Sequence, residues 1–300
     1  YYNSTSGQFK VIKDGGAPIG TWASSGAVNT ARGWMASAGT QTAGMIMGGD
    51  PGARTDKTEL YDGSTWTEVN DLNLIRGQNV GAGLQTASIT FGGISPPQSP
   101  AEIPNTESWD GTNWTEVGDL NERKYGMSGF GTATAAVSGG GFTTTGVSST
   151  ETWNGSSWTE VNEMNTARWY LTGAGTQTSG IAAVGATPSQ VSNVETWDGT
   201  SWTETTNANT ARDQMCDGAG ASDSNALIYG GATPSASALT EFWDGTSWTE
   251  VADLATARKG IGAFGISTSA VAASGATPTR VTNTEDFSAA DFTINPVTTS

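Results

Sequence analysis

Short runs of alternating apolar and polar residues recur along this chain, separated by Gly, Ser, Thr and Asp-Gly punctuation. In Val194-Glu195-Thr196-Trp197-Asp198-Gly199-Thr200-Ser201-Trp202-Thr203-Glu204 two such runs flank an Asp-Gly pair, the pattern of a β-hairpin with an indole on each arm. Near-copies run from Tyr61 to Trp66, Trp109 to Trp114, Trp153 to Trp158 and Trp243 to Trp248, and a worn copy, Phe287 with Phe292, ends the series. The second aromatics are Trp22, Trp66, Trp114, Trp158, Trp202, Trp248 and Phe292, so subtraction gives steps of 44, 48, 44, 44, 46 and 44. A period in the forties with four strand patterns per repeat suits the blade of a β-propeller. The 3.6-residue apolar period of helical repeats is missing.

The pattern predicts an all-β, six-bladed propeller with four-stranded blades. Six inner strand pairs and six third strands are visible against seven candidate outer strands, from Trp22 through Phe292. The strand around Trp22 is therefore expected to complete the last blade by pairing with Thr284 to Phe287, which removes an open sheet edge. Asp291 to Ile294 would then lie outermost or peel away. Residues 1–19 read as a lead-in hairpin and linker, and residues 20–300 as the propeller.

Within each repeat the order is Asn-Thr-Ala-Arg or a variant, a variable patch, a Gly-rich stretch, a small apolar strand, a glycine pair and the hairpin. The pairs Gly48-Gly49, Gly92-Gly93, Gly139-Gly140 and Gly230-Gly231, with the partial matches Gly185-Ala186 and Gly275-Ala276, make this order resemble the kelch motif. That resemblance implies a diglycine after the second strand and a tryptophan on the fourth.

Composition narrows the chemistry. Glycine at 41 residues and charged residues at 14% fit many short strands joined by turns. Histidine is absent and Cys216 is the only cysteine, which excludes disulfides within the chain, Cys/His zinc sites and Ser-His or Cys-His nucleophiles. A net charge of −16 with 13 basic residues argues against nucleic acid. No apolar run approaches the roughly 18–20 residues of a membrane span, so no membrane insertion is expected. No calcium-loop motif is present; no metal and no cofactor are expected. A start at Tyr1 without methionine reads as a piece of a longer protein.

One set of positions is constant. Arg32, Arg76, Arg123, Arg168, Arg212 and Arg258 precede the inner strands, and Glu59, Glu107, Glu151, Glu195, Glu241 and Glu285 lie on the third strands. Equal numbers, one of each per blade, predict structural pairs in which the guanidinium fork grips a carboxylate. Trp22, Trp66, Trp114, Trp158, Trp202 and Trp248 are expected to pack between blades. Their Asp-Gly-x-x-Trp turns resemble the Asp-box of sialidases, but Asp198 stands four residues before Trp202, one closer than in that motif.

Another set varies. After each cation come Trp34-Met35, Gln78-Asn79, Lys124-Tyr125, Trp169-Tyr170, Asp213-Gln214 and Lys259. Exposure at the channel mouth would explain the variety, as would drift at an unconstrained rim. Trp34, Tyr125, Trp169, Tyr170, Gln214 and Lys259 are the candidate ligand-binding residues, with the long loop from Ile94 to Pro104.

The opening Tyr1-Tyr2-Asn3-Ser4-Thr5-Ser6-Gly7-Gln8-Phe9-Lys10-Val11 resembles a phrase common in bacteriophage tail-fibre and other virion appendage proteins. That resemblance implies a virion or extracellular structural protein whose partners are other virion proteins and a host-surface glycan or protein. Assembly into a homo-oligomer would run through sequence upstream. A secreted or cell-surface bacterial adhesin shares every feature except the opening phrase. Kelch propellers include oxidases that hold copper through histidine and tyrosine, and this chain has no histidine, so a non-enzymatic role is expected.

Overall fold

A computed structural model describes residues 2–3, 8–9, 20–215 and 217–289. Six four-stranded antiparallel sheets stand as blades around a central channel. Blade 1 is Ala36–Thr40, Ala43–Met47, Thr58–Tyr61 and Trp66–Glu68, numbered a to d from the channel outward. Blades 2 to 5 repeat the order, with inner strands Val80–Leu84, Ser128–Thr132, Thr172–Thr176 and Ala219–Ser222. Blade 6 takes Gly262–Ile266, Ser269–Ala273 and Thr284–Ser288 from the end of the ring and Thr21–Ser25 from its start. Trp22 faces Phe287 and Ser25 faces Thr284, so the closure read from the sequence holds. The inner strands pack side by side all round, blade 6 against blade 1.

Tyr2–Asn3 pairs with Gln8–Phe9, the two strands expected of the lead-in hairpin. The rest of residues 1–19 and the segment Asp291 to Ile294 lie outside the described residues. Each outer hairpin aligns its two aromatics, Trp197 with Trp202 for instance, across four turn residues. The aspartate is what ties that turn. Asp198 Oδ1 accepts the Thr200 and Ser201 N–H groups at 2.8 Å each, and these bonds hold its carboxyl below the usual range.

Hydrophobic clusters fill the junctions between blades; Phe130 and Val137 of blade 3, for example, meet Met164, Leu171, Trp197 and Trp202 of blade 4. The outer-strand indoles reach back to the preceding blade. Trp114, Trp158 and Trp202 donate Nε1–H to Thr58, Thr106 and Thr150 Oγ1 at 3.0, 3.0 and 2.9 Å, while Trp66 reaches Thr284 and Trp22 reaches Thr240. Trp248 would meet Val194, which has no hydroxyl, and turns to the Thr206 carbonyl instead.

The glycine pair closes a second ring. Gly49, Gly93, Gly141, Gly185, Gly231 and Gly275 each donate N–H to the carbonyl of the next blade's corner cation, Gly275 to Arg32, at 2.7–2.9 Å. The structure thus sets the third pair at Gly140-Gly141, not Gly139-Gly140, and extends the series through Val184-Gly185 and Ser274-Gly275, whose first members are left-handed at φ 56° and 55°. Gly139 still belongs to its strand, paired with Ser128.

Candidate recognition face at the channel mouth

The corner entering each inner strand is clamped from below by a buried ion pair. Arg32–Glu59 and Arg76–Glu107 close at 2.7 Å, Arg168–Glu195 at 2.9 Å, and Arg212–Glu241 and Arg258–Glu285 at 2.8 Å. Each glutamate also collects backbone N–H groups. Glu195 takes Asn165 N–H and Nδ2–H on Oε2 at 2.7 and 2.9 Å, and Thr166 N–H on Oε1 at 3.3 Å. A carboxylate so surrounded is satisfied in the dry interior, and removing it strands a buried guanidinium.

Arg123 is the exception, and the sequence reading of it is corrected. The clamp cation stands three residues after Asn29, Asn73, Asn165 and Asn209, and three after Asn121 stands Lys124, not Arg123. Lys124 is buried, with Nζ 3.7 Å from Glu151 and 3.1 Å from the Ser149 carbonyl; Arg123 is exposed. A shift of one residue along an extended chain turns a side chain to the opposite side. Burial pulls the Lys124 ammonium below its ordinary range, with Glu151 opposing.

Beyond the clamp, the next residue in every blade bridges to the residue after the glycine pair: Gly33 to Asp50, Gly77 to Ile94, Tyr125 to Phe142, Trp169 to Ala186, Asp213 to Ala232 and Lys259 to Ala276. These bridges bring the corners and the b–c loops onto one face. The following residue is left-handed in all six blades: Trp34, Gln78, Gly126, Tyr170, Gln214 and Gly260, with φ between 53° and 61°. Their backbones link across blades. Trp34 N–H donates to Gly260 O, Gln78 to Trp34, Gly126 to Gln78, Tyr170 to Gly126 and Gly260 to Gln214, at 2.6–3.1 Å.

Read round this ring, aromatic, glutamine and glycine follow one another twice. A Cβ added at Gly126 would lie 2.9 Å from the Tyr170 ring, and one at Gly260 would lie 2.9 Å from Trp34. Each aromatic is therefore laid over the glycine of the blade before it. Deeper in the wall Phe130 fills the space left by Gly180, and Phe264 that left by Gly44, again three blades apart. The ring carries a three-blade period on top of its six-blade one.

The candidate ligand residues Trp34, Tyr125, Trp169, Tyr170, Gln214 and Lys259 are all half-buried, neither lost between blades nor fully exposed. Met35, Asn79 and Lys124, from the same variable set, are buried and serve packing, the Asn79 amide donating to Thr90 at 2.8 Å. On blades 3 and 4 the structure gathers four rings. Tyr125 lies 5.4 Å from Phe142 and 6.1 Å from Tyr170, and Phe142 meets Trp169 edge-on at 5.1 Å. Desolvation, with Glu102 nearby, raises the Tyr125 hydroxyl above its usual range. Glu102 belongs to the long loop, whose exposed tip from Pro96 to Pro100 is tied at its base by Ser95 N–H to Ala101 O at 2.9 Å.

Trp34 and Lys259 lie apart from that group, at the junction of blades 6 and 1. Arg280 stacks over the Trp34 ring at 5.5 Å and pairs with Asp50 at 3.1 Å, and Asp50 also holds Arg54. Sequence reasoning missed Phe142, Arg280 and Asp50. Phe142 was available as the residue two beyond Gly140, had the glycine pair been placed one residue later.

One titratable side chain among the described residues enters the channel itself. Five residues beyond the clamp cation, blades 1 to 6 carry Ser37, Gly81, Gly129, Gly173, Asp217 and Ala263 around a cavity of about 160 Å³. Asp217 reaches across to blade 1, where its Oδ2 lies 2.7 Å from Ser37 N and 2.8 Å from Ser37 Oγ. The Ser37 hydroxyl also lies 2.8 Å from the Ala263 carbonyl and accepts Ala263 N–H at 3.0 Å. Its single proton cannot serve both oxygens. A protonated Asp217 resolves the conflict by donating to Ser37, and burial without a cation pushes this carboxyl up to about 7. Among the described residues its Oδ1 has no hydrogen-bond partner within 3.5 Å.

Among the described residues no three His, Cys, Asp or Glu side chains converge as metal ligands would. No helix is long and apolar enough to cross a membrane, which says nothing of strands. A scan against protein-family models found no match, and no curated protein matches the chain.

Proposed function

We propose that this propeller is a non-enzymatic recognition head of kelch type, carried on a phage tail fibre or related virion appendage, that binds a host-surface glycan or protein through its channel-mouth face. The observation that carries this reading is the group of half-exposed rings at Tyr125, Phe142, Trp169 and Tyr170. Tyr170 in this group, and Trp34 elsewhere on the same face, hold left-handed backbone, a conformation that disfavours large side chains and clusters at functional sites. Flat apolar faces with polar tips suit sugar rings and protein pockets alike.

The test is binding of the labelled domain to a panel of bacterial cells, read by flow cytometry. Trp169→Ala combined with Tyr170→Ala should abolish binding to the cells that the parent domain labels, while thermal unfolding shows the domain still folded. Undiminished binding by a folded double variant would refute this face as the site.

A further inference from the structure

Beside the four-ring group lies a recess of about 380 Å³, at the junction of blades 3 and 4. Its apolar walls are Phe142, Trp169 and Pro188, and its rim carries Thr144, Thr145 and Thr187. Among the described residues no charged side chain lines it. The same junction half a ring away, between blades 6 and 1, is built differently. There the counterpart of Trp169 is Gly33, and the loop supplies Arg280 over Trp34 with Asp50 and Arg54 beside it. At blades 3 and 4 the counterpart of Arg280 is Gly146, and a Cβ there would lie 2.6 Å from the Trp169 ring. The glycine has exchanged sides, so one junction holds a cation over an indole and the other an indole beside the recess.

We propose that the recess walled by Phe142 and Trp169 is a saccharide subsite that takes one neutral pyranose ring. This deepens the recognition reading above and rests on it. A pyranose presents a patch of C–H bonds on one face and hydroxyls around its edge. The Trp169 indole offers the flat apolar partner for the first, and threonine hydroxyls, which both donate and accept, offer partners for the second. A volume of about 380 Å³ accommodates a single ring with water. An acidic sugar would bring its carboxylate to a site without a cation, at a desolvation cost nothing there offsets.

The test uses methyl glycosides of glucose, galactose and N-acetylglucosamine against methyl glucuronide, with saturation-transfer NMR and tryptophan fluorescence as readouts. At least one neutral glycoside should bind saturably, and methyl glucuronide should bind at least tenfold more weakly. Trp169→Ala should cost at least tenfold. Phe142→Leu, which keeps apolar volume, guards against a folding artefact and should weaken binding severalfold; Leu84→Ala, at the exposed far end of an inner strand, should leave it unchanged. Preference for the glucuronide, or retention in Trp169→Ala, would overturn the neutral subsite and leave recognition by this face standing. Absence of saccharide binding in a domain that still labels cells through this face would overturn the subsite and point to a protein target. Failure to label any cell at all would count against the recognition reading as well.

Discussion

Replacing Asp217 by asparagine should stabilise the ring at pH 8 and change little near pH 4. The folded carboxyl titrates at about 7 against an ordinary 3.8 because it is desolvated in the channel with no cation beside it. The folded state thus holds this proton more tightly than the unfolded chain does. Between those two values the native state binds more protons, so stability falls as pH rises, and the penalty is complete above the folded value. At about 1.4 kcal/mol per pH unit, a gap of about 3 units sets an upper figure of about 4 kcal/mol. An asparagine amide is uncharged at every pH, and with its oxygen in the place of Oδ2 it still accepts Ser37 N–H while the Ser37 hydroxyl keeps its bond to the Ala263 carbonyl. A gain of roughly 2–4 kcal/mol at pH 8 is therefore expected, which for a domain of this size is a rise of roughly 4–10 °C in Tm. The assay is urea unfolding of both proteins at pH 4, 6 and 8. Taking the difference removes every other carboxylate that titrates in the same range. The gap should shrink steadily toward pH 4. A gap independent of pH, or an asparagine variant less stable than the parent at pH 8, would refute the buried-proton argument.

The clamp pairs and the mouth glycines make separate predictions. Glu195→Gln leaves Arg168 buried without its counter-charge and should cost about 3–5 kcal/mol, whereas exposed Glu68→Gln should cost under about 1 kcal/mol; comparable losses in urea unfolding would contradict the clamp. Gly260→Ala places a methyl against the Trp34 ring at a left-handed position and should cost about 1–3 kcal/mol with a change in tryptophan fluorescence. A silent Gly260→Ala would mean that Trp34 does not lie over that glycine in solution.

Much of the architecture was legible because it repeats. The paired aromatics of each hairpin fix the register of strands c and d, and counting them locates Trp22 on the last blade. The clamp was legible as a rule and misread at one blade, where Arg123 and Lys124 sit side by side and only the spacing from Asn121 separates them. The face that carries Trp169 and Tyr170 was visible as variation against a constant frame. What it touches was not. Phe142 belongs to a different blade from Trp169, Arg280 lies 246 positions from Trp34, and Asp217 meets Ser37 across 180 residues of chain. Contacts of that kind arise from closing the ring, and no local pattern announces them. The three-blade period was present in the letters at Trp34, Gln78 and Gly126 against Tyr170, Gln214 and Gly260, but the left-handed backbone is what aligns those positions.

The central claim is that recognition happens at the channel mouth, and amide hydrogen exchange of the domain on and off target cells tests it most directly. Binding through this face should protect the corners 124–126 and 168–170 and the loop 140–146, while the turns 110–113, 198–201 and 244–247 between strands c and d exchange as in the free domain. Protection of those turns, with the corners unchanged, would contradict the account.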